Sequence, residues 1–197
     1  MADKHPRFTS SCERRLWVAA GTAVIAVYVS IPLAGILVET LQRHGLLDFP
    51  AFAFGAAFLT TILVVLALGL RRRPTPGEIW IVLGVLAAFV MVVVRMGLTP
   101  VERTHLFEYG LLSVLFYEAA SERRRGGSRM MHPFLFAVAV TSTLGWGDEA
   151  VQAFLPERVY DVRDVGVNAL AAIIGATAAA TLRHVRGRTA GTTGTGK

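Results

Sequence analysis

Two short stretches concentrate the residues able to do chemistry. "ERTHLFEYGLL" (Glu102–Leu112) carries Glu102, Arg103, His105, Glu108 and Tyr109. "GWGDEAVQAFLPERVYDVRDVGVNA" (Gly145–Ala169) carries Asp148, Glu149, Gln152, Arg158, Asp161, Arg163, Asp164 and Asn168. A histidine with an unperturbed pKa of about 6.5 suits proton transfer, so His105 is the natural acid–base group. Glu149 or Asp148 can serve as its counterpart, and Arg103 and Arg158 can clamp a phosphate or carboxylate through two parallel hydrogen bonds. Asp161 and Asp164 could orient His105 or bind a metal. Gln152 and Asn168 could contact sugar hydroxyls, with Glu102, Glu108 and Tyr109 beside them. Asp148, Glu149, Asp161, Asp164 and His105 could also hold a hard divalent cation, although no fixed ligand spacing identifies one.

Helical spacing places these groups on shared faces. His105 falls on the same side of a helix as Glu108 and Tyr109, and Glu149 and Asp148 on the same side as Gln152. Asp161, Asp164 and Asn168 form a stripe that continues into Ala171, Ala172 and Gly175, small residues that let another helix approach closely. Each group also has an ordinary reading. Glu102, Arg103, Arg158 and Asp161 can be solvated interfacial charges, and Glu108, Asp148, Glu149 and Asn168 can belong to structural ion pairs. Arg95 and Glu39 read as interfacial side chains that snorkel; Trp17, Trp80 and Tyr28 read as belt or packing residues, and Pro32 as a kink.

The elements that must position these residues are apolar. Six segments, at Leu16–Val38, Phe52–Leu70, Ile79–Leu98, Leu106–Ala120, Phe134–Phe154 and Val165–Leu182, alternate with polar connections. About 20 apolar residues cross a hydrocarbon core of about 30 Å, so most of the segments read as spanning helices. The fourth holds Glu108 and the fifth Asp148 and Glu149, which a hydropathy window alone would undercount. Entering from Pro133, Glu149 falls about 24 Å along its helix at about 1.5 Å per residue, toward the far side of the membrane. The fourth and sixth segments start on that far side, so three helices bring their polar residues to one depth.

Composition agrees. The 197 residues are 53% hydrophobic and 17% charged, with a mean hydropathy of +0.52, whereas soluble domains carry about 25% charged residues. The net charge of +6 would fit a nucleic-acid binder, but its distribution argues against one. Lys4, Arg7, Arg14 and Arg15 precede the first segment; Arg71–Arg73 follow the second; Arg123–Arg125 and Arg129 follow the fourth; Arg183, Arg186 and Arg188 follow the sixth. Every second connection is basic, as the positive-inside rule requires of six spans with both termini in the cytoplasm. The expected fold is therefore all-α: a polytopic helical bundle with a cytoplasmic segment at 1–15, the bundle at 16–184 and a disordered tail at 185–197. The first segment is too long for a cleaved signal core. Cys12 is the only cysteine, so no intrachain disulfide can form. The phosphate-cradling glycine loop, zinc-ligand spacings, H-E-x-x-H and G-x-S-x-G are all missing from the sequence.

The two motif stretches resemble the VanZ-like family of bacterial membrane proteins. "ERTHLFEYGLL" is similar to that family's acidic–basic–x–His block followed by Glu-Tyr. "GWGDEAVQAFLPERVYDVRDVGVNALAAIIG" (Gly145–Gly175) is similar to its G-x-x-D-E-x-x-Q-x-F-x-P-x-R-x-x-D-x-x-D-x-x-x-N block. The resemblance covers residues 100–182, and the chain has Ala171 where the family commonly has glycine. It implies cell-envelope work in the bacterial inner membrane, since the family is associated with glycopeptide resistance and surface polysaccharide.

Two functions fit. One is an enzyme acting at the outer leaflet on a lipid-linked or cell-surface glycan or another phosphate-containing substrate, by hydrolysis or transfer. The other is a non-catalytic membrane protein that binds envelope precursors or glycopeptide, or assists a partner. Transport fits less well, because the charges cluster toward one end of their helices. The expected partners are the bilayer and a lipid-linked glycan or glycolipid, with no nucleic acid.

Overall fold

Helix starts follow from local capping chemistry. At Thr75 the hydroxyl accepts the Glu78 N–H and the Glu78 carboxylate accepts the Thr75 N–H, a capping box with Pro76 in the first helical position. Ser10 and Glu13 do similar work near the N-terminus: the Ser10 hydroxyl accepts the Glu13 N–H, and Glu13 accepts the Thr9 N–H at 2.7 Å. Pro100 and Pro133 open two further helices. Asp161 caps the last one, its carboxylate accepting the Arg163 N–H at 2.7 Å.

The computed structural model describes residues 8–44, 75–97, 100–154 and 160–192; the side chains of 32–39, 41–42, 100–103 and 189–192 fall outside this description. The second apolar segment, Glu157, Arg158 and the basic run Arg71–Arg73 also lie outside the described residues. The described residues form five helices: α1 (Ser11–Arg43), α2 (Pro76–Met96), α3 (Pro100–Arg125), α4 (Pro133–Gln152) and α5 (Val162–Thr192). No strand occurs among the described residues.

Among the described residues three helices are long and apolar enough to cross a membrane: α1 over Ser11–Ile31, α2 over Pro76–Met96 and α5 over Val162–Arg188. Their outward faces expose Ile25, Trp80 and Val94, which suits lipid better than water. Helices α3 and α4 fall short of that mark because charged side chains interrupt them, as expected of the segments holding Glu108, Asp148 and Glu149.

Helix α3 is the hub. It packs most extensively on α5 and also against α4 and α1, while α2 lies on α5. Its buried face presents Leu106, Tyr109, Leu112 and Phe116. Trp17, Phe116 and Phe136 meet edge-on, tying α1, α3 and α4 together. The stripe of small residues works as expected of it. A side chain at Gly175 would overlap the backbone of Gly110, and the Ser113 hydroxyl donates to the Ala172 carbonyl at 2.6 Å. Ala171 is fully buried, so the tight approach of α3 to α5 centres on the Gly110–Gly175 contact.

Several of the arginines form ion pairs. Arg123 pairs with buried Glu13 at 3.0 Å; Arg183 pairs with Glu118 at 2.9 Å and Glu122 at 3.0 Å; Arg186 pairs with Glu78 at 2.6 Å. These contacts gather the starts of α1 and α2 and the ends of α3 and α5 at one end of the bundle. A cavity of about 310 Å³ there is lined by Tyr117, Ser121, Arg124, Arg125, His132 and Arg183, among others. Helix α1 begins at Ser11 and α5 runs on to Thr192. Arg186 reaches Glu78, and Val185 lies against Gly77, so the end of α5 packs on the start of α2.

Candidate functional site

Helices α3 and α4 run antiparallel, so the first turns of α3 meet the last turns of α4 at the end of the bundle opposite the arginines. Asp148 and Glu149 are adjacent on α4 and both buried. His105, one turn before Tyr109 on α3, places Nδ1 3.5 Å from Asp148 Oδ2 and 3.9 Å from Glu149 Oε1. Its ring meets Tyr109 edge-on.

Asp148 is firmly held. The Tyr109 hydroxyl donates to its Oδ2 at 2.8 Å, and Gln152 Nε2 donates to its Oδ1 at 3.2 Å. Both donors were read from sequence as substrate contacts, and in the fold both orient this carboxylate. Glu149 is placed differently. It is 1% exposed, yet neither carboxylate oxygen accepts a hydrogen bond among the described residues. The Asp161 backbone N–H approaches it without reaching hydrogen-bond geometry. The negative charges of Asp164, Asp148 and Asp161 also bear on Glu149, and that of Asp148 bears on Glu108, partly buried on α3.

Three potential ligand atoms converge: one each from His105, Asp148 and Glu149, all within 4.8 Å of one another. Among the described residues Asp161 and Asp164 do not join this set, which narrows the metal ligands expected from sequence. Asp161 is exposed and occupied in capping α5. Asn168 is fully buried, and its amide Nδ2 donates to the Gly145 carbonyl at 3.4 Å, bridging α5 to α4. A side chain at Gly145 would come within 2.6 Å of Asn168 Cβ, so this glycine lets the two helices meet. Glu102 and Arg103 lie in the first turn of α3, with side chains outside the described residues, as Arg158 is altogether.

Sequence reasoning missed two residues. Tyr28, read as packing, does hydrogen-bond from α1 to the Leu144 carbonyl at 2.8 Å, but its hydroxyl also lies near Gly147, and it feels the charge of Asp148. No spacing signal points to it, because α1 is remote in sequence. Thr141 is fully buried, and its hydroxyl oxygen has no hydrogen-bond partner among the described residues. It precedes Asp148 by two helical turns, and that spacing could have flagged it.

A partly buried histidine facing two buried carboxylates can transfer protons, stabilise an imidazolium or ligate a cation. In comparisons with known proteins, no family model, no curated protein and no solved structure matched the chain.

Proposed function

We propose that this chain is a multi-pass envelope protein of the bacterial inner membrane, VanZ-like in its motifs, with His105, Asp148 and Glu149 as a catalytic centre. The basic end faces the cytoplasm and the His105 end faces outward, in keeping with the positive-inside rule. The six-span arrangement adds a span over Phe52–Leu70 and takes α3 and α4 as spans despite their charges. The reaction is hydrolysis or transfer on a lipid-linked or surface glycan, or on another phosphate-containing envelope substrate, reached from the outer leaflet.

One observation carries this reading: the meeting of His105 with buried Asp148 and Glu149, 3.5 Å and 3.9 Å away. Ionisable groups inside a bundle are costly and mark function by default. A structural ion pair would account for one carboxylate beside His105, but not for a second that is buried without a hydrogen bond among the described residues.

The test uses the reconstituted full-length protein with a polyprenyl-diphosphate-linked sugar in the vesicle membrane. Released sugar or phosphate is measured beside melting temperature in detergent. Glu149→Gln and His105→Ala are expected to lower turnover by about 10²–10⁴, the usual cost of removing a proton-transfer group, while melting within a few degrees of the parent. Full turnover in both variants would sink the catalytic assignment. Losses confined to variants that melt early would favour the binding or accessory role.

A further inference from the structure

We propose that His105 Nδ1, one oxygen of Asp148 and one oxygen of Glu149 hold a single divalent cation of the first transition row, such as Mn²⁺ or Zn²⁺. The inference deepens the catalytic reading of this cluster and rests on it for its functional meaning, but the ion itself is measured independently of turnover.

The distances come first. A charged hydrogen bond between His105 and either carboxylate would close to about 2.7–2.9 Å. The observed separations of 3.5 Å and 3.9 Å are too long for that. They match two ligands of one ion instead, because an ion about 2.0–2.2 Å from each ligand keeps those ligands up to roughly 4.4 Å apart. All three atoms fall within 4.8 Å of one another, so closure asks for a shift of a few tenths of an ångström.

The second observation is independent of spacing. Glu149 is 1% exposed, lies against this gap and, among the described residues, finds no hydrogen-bond donor for either oxygen. A buried carboxylate in that state is expensive, and buried charges are normally paired or metal-bound. Asp148, by contrast, already has a donor on each oxygen, from Tyr109 and Gln152. Each carboxylate oxygen has two lone pairs, so these bonds leave room for a cation and resemble the outer-shell hydrogen bonds that orient metal ligands.

Charge and ligand type narrow the ion. Two carboxylates and a neutral imidazole balance a dication. An imidazole among oxygen ligands favours first-row transition ions over Ca²⁺ or Mg²⁺. Three protein ligands leave coordination positions open to water or to a phosphate oxygen, the pattern of catalytic rather than structural sites.

The experiment strips the full-length protein with a chelator in detergent, then equilibrates it with Mn²⁺ or with Zn²⁺. Elemental analysis should find one ion per chain. Glu149→Gln, Asp148→Asn and His105→Ala should each weaken Mn²⁺ binding by more than about 100-fold, and Tyr109→Phe by about 10–100-fold, as outer-shell changes do. Arg186→Gln, at the other end of the bundle, should bind normally. On the parent protein alone, the Mn²⁺ spin-echo spectrum should show modulation from a coordinated imidazole nitrogen, a readout that needs no variant to fold. Absence of a stoichiometric ion, of the nitrogen signal, or of any effect in the three ligand variants would overturn the site. Turnover that persists in chelated protein overturns the ion and leaves the catalytic reading standing. A bound ion with no turnover on any envelope substrate does the reverse.

Discussion

The Tyr109 hydroxyl donates to Asp148 Oδ2 at 2.8 Å, a buried bond between residues 39 positions apart in the chain. It joins α3 to α4 and fixes the carboxylate that faces His105. Tyr109→Phe keeps the ring and removes only this donor. Leaving a buried acceptor short of a partner costs about 1–3 kcal/mol. For a chain of this size, each kcal/mol lowers the melting temperature by about 2–4 °C. Thermal unfolding in detergent should therefore show a drop of several degrees, and an unchanged melting point would mean that this bond does not tie the helices.

Glycines on one helix are expected to behave oppositely. Gly175→Ala sets a methyl against the Gly110 backbone, which cannot yield as a side chain would; overpacking of this kind costs about 1–3 kcal/mol. Gly166→Ala meets open space on the same helix and should be neutral or stabilising, by up to about 1 kcal/mol of helix propensity. Paired melting curves check both, and equal behaviour would refute the close α3–α5 approach.

The arginines at the opposite end should differ just as clearly. Arg123→Gln removes the cation facing buried Glu13, which keeps its Thr9 and Trp17 donors among the described residues. A loss of about 1–3 kcal/mol is expected. Arg186 is exposed where it meets Glu78, so Arg186→Gln should cost less than about 1 kcal/mol. Raising the salt concentration should shrink the second effect more than the first.

Membrane sidedness is open to direct chemical test. Cys12 is exposed at the basic end and is expected to react with an impermeant maleimide only after cells are permeabilised. In a Cys12→Ser background, Tyr160→Cys, near the His105 end, should react in intact cells. The reverse pattern would turn the site toward the cytoplasm and remove the outer-leaflet substrate.

The described helices, their approximate limits and the position of the polar groups along their axes were legible in the sequence, because hydropathy, capping and periodicity are local properties. Thr75, Pro76 and Glu78 declare a helix start without reference to anything distant. The alternation of arginine clusters likewise implied the segment directions, and the ion pairs of Arg123, Arg183 and Arg186 gather the expected ends together. Depth along an axis, however, says nothing about rotation around it. Which polar side chains actually meet depended on how α3 turns against α4 and α5, and that turn is set by packing at Gly110, Gly175, Gly145 and Asn168. Tertiary structure alone therefore decided that His105 faces Asp148 and Glu149 and that Asn168 bonds to the α4 backbone. The same reason explains Tyr28: a side chain on α1 reaches the site only because helices far apart in the chain come to lie side by side.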